Sequence, residues 1–414
     1  YKSVIQIEVN NAVAYFNLGN VAKRLGNLNY SIDCFKKAIA NDEYYADAYN
    51  NLGIVFKEIQ NFDKALLCYE HAFNLKPDLD YILAPILQIR KDNCNWDGLD
   101  KFLLNMVNRI NDRKNVLSPF VLLGMIDEPQ LHLINTKTWV NDKHPKSDVL
   151  TKIDTYPLHK KIRIGYFSPD FREHPVSDLI VELLEVHNRD QFEIHAFSCG
   201  RDTKDKMNLR IKTGVDHFHN VHLMPDIDVT LLARSLEIDI AIDLGGFTQG
   251  AKTGIFAMSA APVQVCFLGY AGTMGIDYMD YLICDNTVIP EDKQQYYSES
   301  LVYMPNSYMV NDSQMTPSSR NFTRENFELP GKGFVFCCFN SIYKITPETF
   351  TGWMNILSKV DNSVLWLSKT DNTTATQNLK KEAKKLGIAQ NRLIFASRLD
   401  SKEDHLKRIQ SADL

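Results

Sequence analysis

The sequence repeats itself near its amino terminus, where AVAYFNLGNVAKRLGNLNYSIDCFKKAIAND (residues 12–42) aligns with ADAYNNLGIVFKEIQNFDKALLCYEHAFNLKPD (residues 46–78) after a shift of 34 residues. The identical positions are Ala14/Ala48, Tyr15/Tyr49, Asn17/Asn51, Leu18/Leu52, Gly19/Gly53, Cys34/Cys68 and Ala38/Ala72. Small residues at matching places let two antiparallel helices pack closely, and a late proline, Pro77, ends the second unit. The repeat predicts an α-helical solenoid over residues 1–80, made of one partial and two full units.

The period and the residue pattern resemble the tetratricopeptide repeat. Val4 and Ile5 fall where Ala38 and Ile39 fall in the next unit. We therefore expect the chain to begin in the tail of an earlier repeat, with more repeats before residue 1.

Asn17 and Asn51 occupy the same position on the first helix of successive repeats. In such solenoids this face lines the concave groove, where amide donors and acceptors suit an extended peptide backbone. We expect these two side chains to bind an extended peptide. The alternative is that they are solvated helix positions.

The composition is that of a globular protein with two to three domains. Its 414 residues are 44% hydrophobic and 23% charged, and 46 Lys+Arg against 51 Asp+Glu give a net charge of −5. This balance offers no general attraction for nucleic acid or anionic membranes. The 8 cysteines form no CxxC pair, and the sequence contains no recognisable membrane span or secretory signal. We expect a cytoplasmic protein whose partners are neither nucleic acid nor membrane.

From about residue 161, short β-rich runs alternate with helical patterns. The runs are IRIGYF, FEIHAF, DIAIDLGG, VQVCFLG and YLICD, followed by a second series with FVFCCF, SVLWLS and RLIFAS. This alternation predicts parallel, doubly wound α/β sheets. We assign a helical connector to residues 81–156, an amino-terminal Rossmann-like half to 157–325 and a carboxy-terminal half to 326–414. The second series contains only three strands, so we expect the chain to continue beyond Leu414.

Candidate site residues lie in the loops after the strands, because doubly wound folds bind ligands at the carboxyl ends of their strands. The sequence has neither GxGxxG after the first strand nor GxxxxGK[ST], so dinucleotide and P-loop binding lose their main support. Asp170 and His174 share the loop after IRIGYF, and Pro175 places His174 at a helix N-terminus. A carboxylate and a neutral imidazole could handle the proton of a hydroxyl. The alternative is that they only tie the loop and cap the helix.

Two further loops carry positive charge. After FVFCCF, Thr346 is the expected N-cap of a helix and Lys344 lies just outside it, which predicts a phosphate site. The alternative is a solvated lysine. After RLIFAS, His405 and Arg408 lie three residues apart on one helix face. An imidazole and a guanidinium there could hold a nucleobase. The alternative is that this face is only solvated, as such faces usually are.

Taken together, these stretches resemble the tetratricopeptide-containing O-GlcNAc transferases and their SPINDLY-like relatives, glycosyltransferase family 41. The resemblance extends from the repeats through APVQVCFLGYAGTMGIDYMDYLICD and NSIYKITPETFTGWMNILSKVDNSVLWL to the last helix. The insertion that separates the two halves in animal members is absent, as in bacterial forms. The resemblance implies a GT-B fold. It also implies an inverting enzyme that moves N-acetylglucosamine from UDP-GlcNAc to Ser or Thr hydroxyls of proteins, with no metal or other cofactor.

The resemblance further implies roles for single residues. His174 matches an essential active-site histidine, and Asp170 matches an aspartate proposed as a base or proton relay. Lys344 matches the lysine that stabilises the leaving diphosphate, with Tyr343 beside it. The expected nucleotide-sugar-binding residues are Asn340, Lys344, Gly269 and Tyr270 of a glycine-rich loop, and His405 and Arg408 at the uracil ring.

Three points stay open from the sequence. Asp226 and Asp228 match the DxD pattern of metal-dependent glycosyltransferases, but they fit the first turn of a helix equally well, and we assign them no metal. O-fucose transfer from a GDP-sugar, as in SPINDLY proteins, is an alternative activity, which Tyr343 in NSIYK disfavours only weakly. A non-catalytic repeat scaffold that binds a nucleotide or a partner protein is the other alternative.

Overall fold

The computed structural model describes residues 1, 8, 10–151, 153, 155–370 and 372–414. They form two compact units, one made of Tyr1–Arg109 with Pro317–Leu414 and the other of Ile110–Thr316. The predicted repeat remnant at Val4 and Ile5 lies outside the described residues. The domain boundaries predicted at residues 80, 156 and 325 stay predictions, since compact units follow spatial contact and not repeat or sheet pattern.

The repeat region consists of paired helices, as the sequence predicts. They are α1 (Ala12–Arg24), α2 (Leu28–Asn41), α3 (Ala46–Glu58) and α4 (Phe62–Leu75), followed by α5 (Leu83–Asp92) and α6 (Leu99–Asn111). A Cβ placed on Gly19 would lie 2.7 Å from the ring of Phe35, and one on Gly53 would lie 2.8 Å from the ring of Tyr69. These glycines allow each helix pair to pack closely.

The second unit is built on a parallel seven-stranded sheet. After α7 (Pro119–Leu123) and α8 (Pro129–Lys143), its strands are β1 (Ile162–Ser168), β2 (Phe192–Ser198), β3 (His217–Asn220), β4 (Ile240–Asp243), β5 (Val263–Cys266), β6 (Tyr281–Cys284) and β7 (Ser300–Tyr303). Its other helices are α9 (Pro175–Val186), α10 (Lys206–Gly214), α11 (Asp226–Ser235) and α12 (Thr253–Ala257). The spatial order is β3-β2-β1-β4-β5-β6-β7, which confirms the doubly wound prediction. Sequence reasoning did not find β3, whose residues HFHN are too polar for an apolar strand pattern.

The carboxy-terminal part forms a separate parallel sheet in the order β10-β9-β8. Its elements are β8 (Val335–Cys338), α13 (Pro347–Lys359), β9 (Val364–Ser368), α14 (Thr373–Lys385), β10 (Leu393–Ala396) and α15 (Lys402–Ile409). The segment after α5 packs on this sheet: Asn372 Nδ2 donates to Asn93 Oδ1 at 2.6 Å, and the ring of Trp96 lies 5.4 Å from that of Phe350. The repeat region and this sheet therefore belong to one unit.

Among the residues that the structure describes, no helix combines the length and the apolar character that crossing a membrane requires.

Candidate functional site

The loop after β1 is held by hydrogen bonds on several sides. Ser168 Oγ accepts from the backbone N–H of Asp170 at 3.0 Å, and Ser177 Oγ donates to the Asp170 carbonyl at 2.5 Å. Asn208 Nδ2 of α10 donates to the carbonyl of Phe171 at 2.7 Å. The loop that carries the predicted catalytic pair is therefore preorganised by its surroundings.

His174 and Asp170 come together in this loop. His174 is the N-cap of α9, as predicted, and its Nδ1 accepts from the backbone N–H of Val176 at 3.3 Å. The same Nδ1 lies 3.6 Å from Asp170 Oδ2, and the side chains are 34% and 7% exposed, respectively. Asp170 Oδ1 accepts from Arg172 at 3.0 Å, a partner that sequence reasoning missed. His174 Nδ1 thus faces both the backbone N–H of Val176, which capping uses, and the Asp170 carboxylate, which a chemical role would use.

The proton on His174 has two arrangements with different consequences. While Nδ1 accepts from Val176, the neutral ring carries its proton on Nε2. If Nδ1 is protonated and directed at Asp170, Nε2 can accept a proton from a substrate. The second arrangement is that of catalytic histidines with a carboxylate partner.

Asp243 is a candidate that sequence reasoning missed. It ends β4, opposite Phe167 of β1, at the place where the strand order reverses and doubly wound sheets bind ligands. Its Oδ1 accepts from the backbone N–H groups of Gly245 at 2.8 Å and Gly246 at 3.0 Å. Oδ2 is buried and has no hydrogen-bond partner among the described residues. Burial raises the pKa of this carboxyl to about 6. A carboxylate followed by two glycines at a strand end was the available sequence signal.

The glycine-rich loop after β5 lies close to the loop after β4, and the side chain of its Tyr270 is buried. A Cβ on Gly269 would collide with the carbonyl oxygen of Leu244, so this glycine lets the loops after β4 and β5 approach each other. Tyr270 is 3% exposed, and its ring meets Phe247 edge-on at 5.2 Å. The Tyr270 side chain therefore belongs to the core, and a contact of Tyr270 with the nucleotide sugar stays a prediction.

The carboxyl ends of β8, β9 and β10 surround a polar pocket of about 570 Å³. It is lined by Asp92, Ser341, Ile342, Tyr343, Ser368, Lys369, Thr370, Asn372, Ser397 and Arg398. Its volume lies within the usual range of ligand pockets. The exposed Lys369 and Arg398 bring positive charge, and sequence reasoning missed both, although each directly follows a predicted strand.

Lys344 stands at the predicted helix start. It ends the 3-10 turn Ile342–Lys344, is exposed, and precedes the N-cap Thr346, whose Oγ1 accepts from the backbone N–H of Thr349 at 3.2 Å. Asn340 is exposed in the same loop. The ring of Tyr343 faces the buried Lys91, whose Nζ lies 5.9 Å from the ring centre. Burial lowers the pKa of Lys91.

His405 and Arg408 pair with each other on α15. Arg408 Nε donates to His405 Nδ1 at 3.0 Å, so a neutral His405 carries its proton on Nε2. Arg408 is 4% exposed, and its guanidinium carbon lies 4.5 Å from the centre of the Phe339 ring. Burial, and secondly Arg408, lower the pKa of His405. Arg408 is therefore a positioning residue, and the half-buried His405 presents an N–H donor.

The asparagines of the repeat helices are not equivalent. Both are half-buried, but Asn51 Nδ2 donates to Asn20 Oδ1 of the preceding repeat at 2.8 Å. Asn17 and Asn20 line a shared pocket of about 330 Å³ with Lys23. The 34-residue comparison did not reveal Asn20, because Ile54 stands at its place in the next repeat.

Asp226 is the first residue of α11 and lies 3.6 Å from Lys252 Nζ. This is the helix-start position that the sequence offered as an alternative to a DxD metal site.

Repeat helices joined to parallel α/β sheets, with polar loops at the carboxyl strand ends, define a repeat-containing α/β protein with candidate ligand sites at the ends of its strands. The sequence matches Glycosyl transferase family 41 over residues 143–322 and 317–414 and the Tetratricopeptide repeat over residues 10–78. Because the two ranges matched by the family 41 model together cover more than half of the chain, the protein belongs to glycosyl transferase family 41. The resemblance inferred from sequence is thereby confirmed.

Several relatives are similar to this chain. The probable UDP-N-acetylglucosamine–peptide N-acetylglucosaminyltransferase SEC of Arabidopsis thaliana is 35% identical over 261 residues, which are 62% of this chain and 26% of the relative. The UDP-N-acetylglucosamine–peptide N-acetylglucosaminyltransferase of Caenorhabditis elegans is 24% identical over an alignment of 447 positions, gaps included, that covers 78% of this chain and 39% of the relative. The chain thus spans roughly a quarter to two fifths of these relatives.

A solved structure has the same fold. A mutant of the Thermobaculum terrenum O-GlcNAc transferase superposes with a TM-score of 0.67 at 25% identity, covering 100% of this chain and 72% of the other. The GT-B prediction is consistent with this likeness.

Proposed function

We propose that this protein is an inverting, metal-independent transferase that moves N-acetylglucosamine from UDP-GlcNAc to Ser or Thr hydroxyls of proteins. The observation that carries the proposal is the pairing of His174 with Asp170 in a preorganised loop at the switch point of the seven-stranded sheet. Membership of glycosyl transferase family 41 and the names of the relatives support the reaction type and the donor.

The pocket at the ends of β8–β10 supports the choice of donor. A nucleoside diphosphate is a planar base joined to a strongly anionic group, and the pocket offers Lys369 and Arg398, with Lys344 and the N-terminus of α13 in the loop after β8. His405 of α15, which is not among the residues that line this pocket, carries an Nε2–H donor, and such a donor suits a uracil carbonyl.

The chemical step is a single displacement at the anomeric carbon. The acceptor hydroxyl loses its proton to Nε2 of His174 while Asp170 holds Nδ1–H, and the new C–O bond forms as the bond to the diphosphate breaks. The leaving UDP carries the electron pair, and the positive charge of Lys344 stabilises it. One base and one positive charge at the leaving diphosphate are enough for a single displacement, which inverts the anomeric carbon.

The acceptor protein approaches through the repeats. Asn17 and Asn51, with Asn20 bonded to the latter, offer amide groups along successive repeat helices. Because amides recognise the backbone, such a groove would serve acceptors of many sequences.

Calorimetry with UDP and GDP tests the donor assignment. Wild-type protein should bind UDP more tightly than GDP, and Lys344→Ala should weaken UDP binding with little effect on thermal stability, since Lys344 is exposed. Lys359→Ala, at the far end of α13, is the matched control and should bind UDP like the wild type. GDP binding at least as tight as UDP binding would contradict the uridine assignment and favour the GDP-sugar alternative. Absence of binding to either nucleotide would contradict the enzyme reading.

A further inference from the structure

Glu193, His195 and His217 form a cluster on one face of the edge of the seven-stranded sheet, separate from the loops described above. Glu193 and His195 alternate along β2, and His217 lies opposite His195 on the edge strand β3. Their ligand atoms all lie within 4.8 Å of one another. Glu193 is the second residue of β2, so the cluster is near the amino end of that strand, whereas His174 follows the carboxyl end of β1.

The distances fit a tetrahedral metal centre. Glu193 Oε1 lies 3.2 Å from His195 Nε2 and 3.0 Å from His217 Nε2. Ligand atoms held about 2.0–2.1 Å from a tetrahedral Zn²⁺ lie roughly 3.3 Å apart, which these two distances match, and the two imidazole nitrogens lie within 4.8 Å of each other. His217 is 50% exposed, and solvent can therefore supply a fourth ligand.

Neighbouring groups orient the three candidate ligands. His195, which is 2% exposed, has its Nδ1 3.1 Å from Nε2 of His219. When His195 donates its Nδ1–H to Nε2 of His219, its own Nε2 is unprotonated and able to bind a metal. On the other side, Arg163 Nε lies 3.7 Å from Glu193 Oε2, which leaves Oε1 for the imidazoles.

We propose that Glu193, His195 and His217 bind a divalent transition metal of the Zn²⁺ type and thereby fasten the short edge strand β3 to β2. Two imidazoles and one carboxylate are a ligand set that Zn²⁺ accepts. Mg²⁺ and Ca²⁺ prefer oxygen ligands, so the two imidazole nitrogens disfavour them. The site is distinct from the Asp226 pattern, to which we assign no metal. Its position away from His174 implies that the metal affects stability and not the transfer step.

The test uses metal-stripped full chain and Co²⁺ as a spectroscopic substitute for Zn²⁺. Wild-type protein should bind one equivalent of Co²⁺ with the intense visible absorption of tetrahedral coordination, lose that absorption when Zn²⁺ is added, and melt at a higher temperature with Zn²⁺ than without. Mg²⁺ should not compete.

His217→Ala and Glu193→Gln separate a metal site from a hydrogen-bonded cluster. His217 is exposed, and Gln at position 193 still accepts a hydrogen bond from an imidazole, so both variants should fold. Both should lose the Co²⁺ absorption and weaken Zn²⁺ binding by at least tenfold, whereas the control His71→Ala, an exposed histidine of α4, should bind like the wild type. Equal Zn²⁺ affinity in wild type and His217→Ala, or no Co²⁺ absorption in the wild type, would overturn the proposal.

Discussion

Replacing His174 by Ala and by Asn separates its role in the helix cap from its role in chemistry. His174 caps α9 through Nδ1, and loss of an N-cap costs about 1 kcal/mol of unfolding free energy. Asparagine is a good N-cap but no base, so His174→Asn should keep nearly wild-type stability, whereas His174→Ala should lose about 1 kcal/mol. The surrounding bonds of Ser177 and Asn208 limit any wider loss of structure in the loop.

Both variants should lose activity to the same extent. General acid–base catalysis typically contributes roughly 100- to 10,000-fold to the rate, which corresponds to about 3–5 kcal/mol of the activation barrier. The assay is single-turnover transfer from UDP-GlcNAc to a Ser-containing peptide, with unfolding followed by chemical denaturation. The control is His187→Asn at the other end of α9, which loses the 2.8 Å contact with the Tyr166 hydroxyl and should lose stability without losing activity. Wild-type transfer by His174→Asn would refute a catalytic role and leave capping as the function of the residue.

Three other predictions test separate parts of the account. Burial raises the pKa of Asp243 to about 6 from the ordinary 3.8, so the folded state favours the protonated carboxyl. The protonated carboxyl therefore stabilises the folded state fully below pH 4, and this stabilisation is lost as the pH rises through 6. Relative to Asp243→Asn, the wild type should therefore lose up to roughly 3 kcal/mol of unfolding free energy between pH 4 and pH 7, and parallel pH profiles would contradict this. The double change Asn17→Ala and Asn51→Ala should weaken transfer to intact proteins but spare transfer to short peptides, and equal losses on both would assign the asparagines a structural role. Gly53→Val should destabilise the repeats by roughly 1–3 kcal/mol, because its side chain would meet a buried tyrosine ring. The control Gly352→Ala, in open space on α13, should be neutral or stabilising. Equal melting temperatures for the two variants would contradict the packing argument.

Local patterns in the sequence predict much of this fold. Gly19 and Gly53 recur at 34 residues because each lies against an aromatic ring of the partner helix. The helix starts at His174 and Thr346 follow from a proline at the first helical position, and both helices begin there. Such features depend on near neighbours along the chain, and the sequence displays them directly.

Other features depend on contacts between distant segments. Tyr270 and Arg408 look like ligand-binding residues in the sequence, but packing against Phe247 and Phe339 buries their side chains. The metal-type cluster needs the register of β2 and β3, which brings His217 opposite His195. No pattern within one segment encodes such a register.

The positive pocket illustrates the same limit. Lys369 follows β9 and Arg398 follows β10, and both strands were predicted, but their loops share one pocket only once the strands pair in parallel. Asp92 reaches the same pocket from the end of α5, which the sequence shows only as part of a helical connector.

Mass spectrometry of a Ser/Thr peptide library incubated with the protein tests the central claim most directly. The library is offered UDP-GlcNAc or GDP-fucose in the presence of EDTA, with His174→Asn as the inactive control. The account predicts that Ser or Thr residues gain one N-acetylhexosamine from UDP-GlcNAc, that GDP-fucose gives no product, and that the variant adds nothing. Transfer of a deoxyhexose from GDP-fucose alone, or no transfer from either donor, would contradict it.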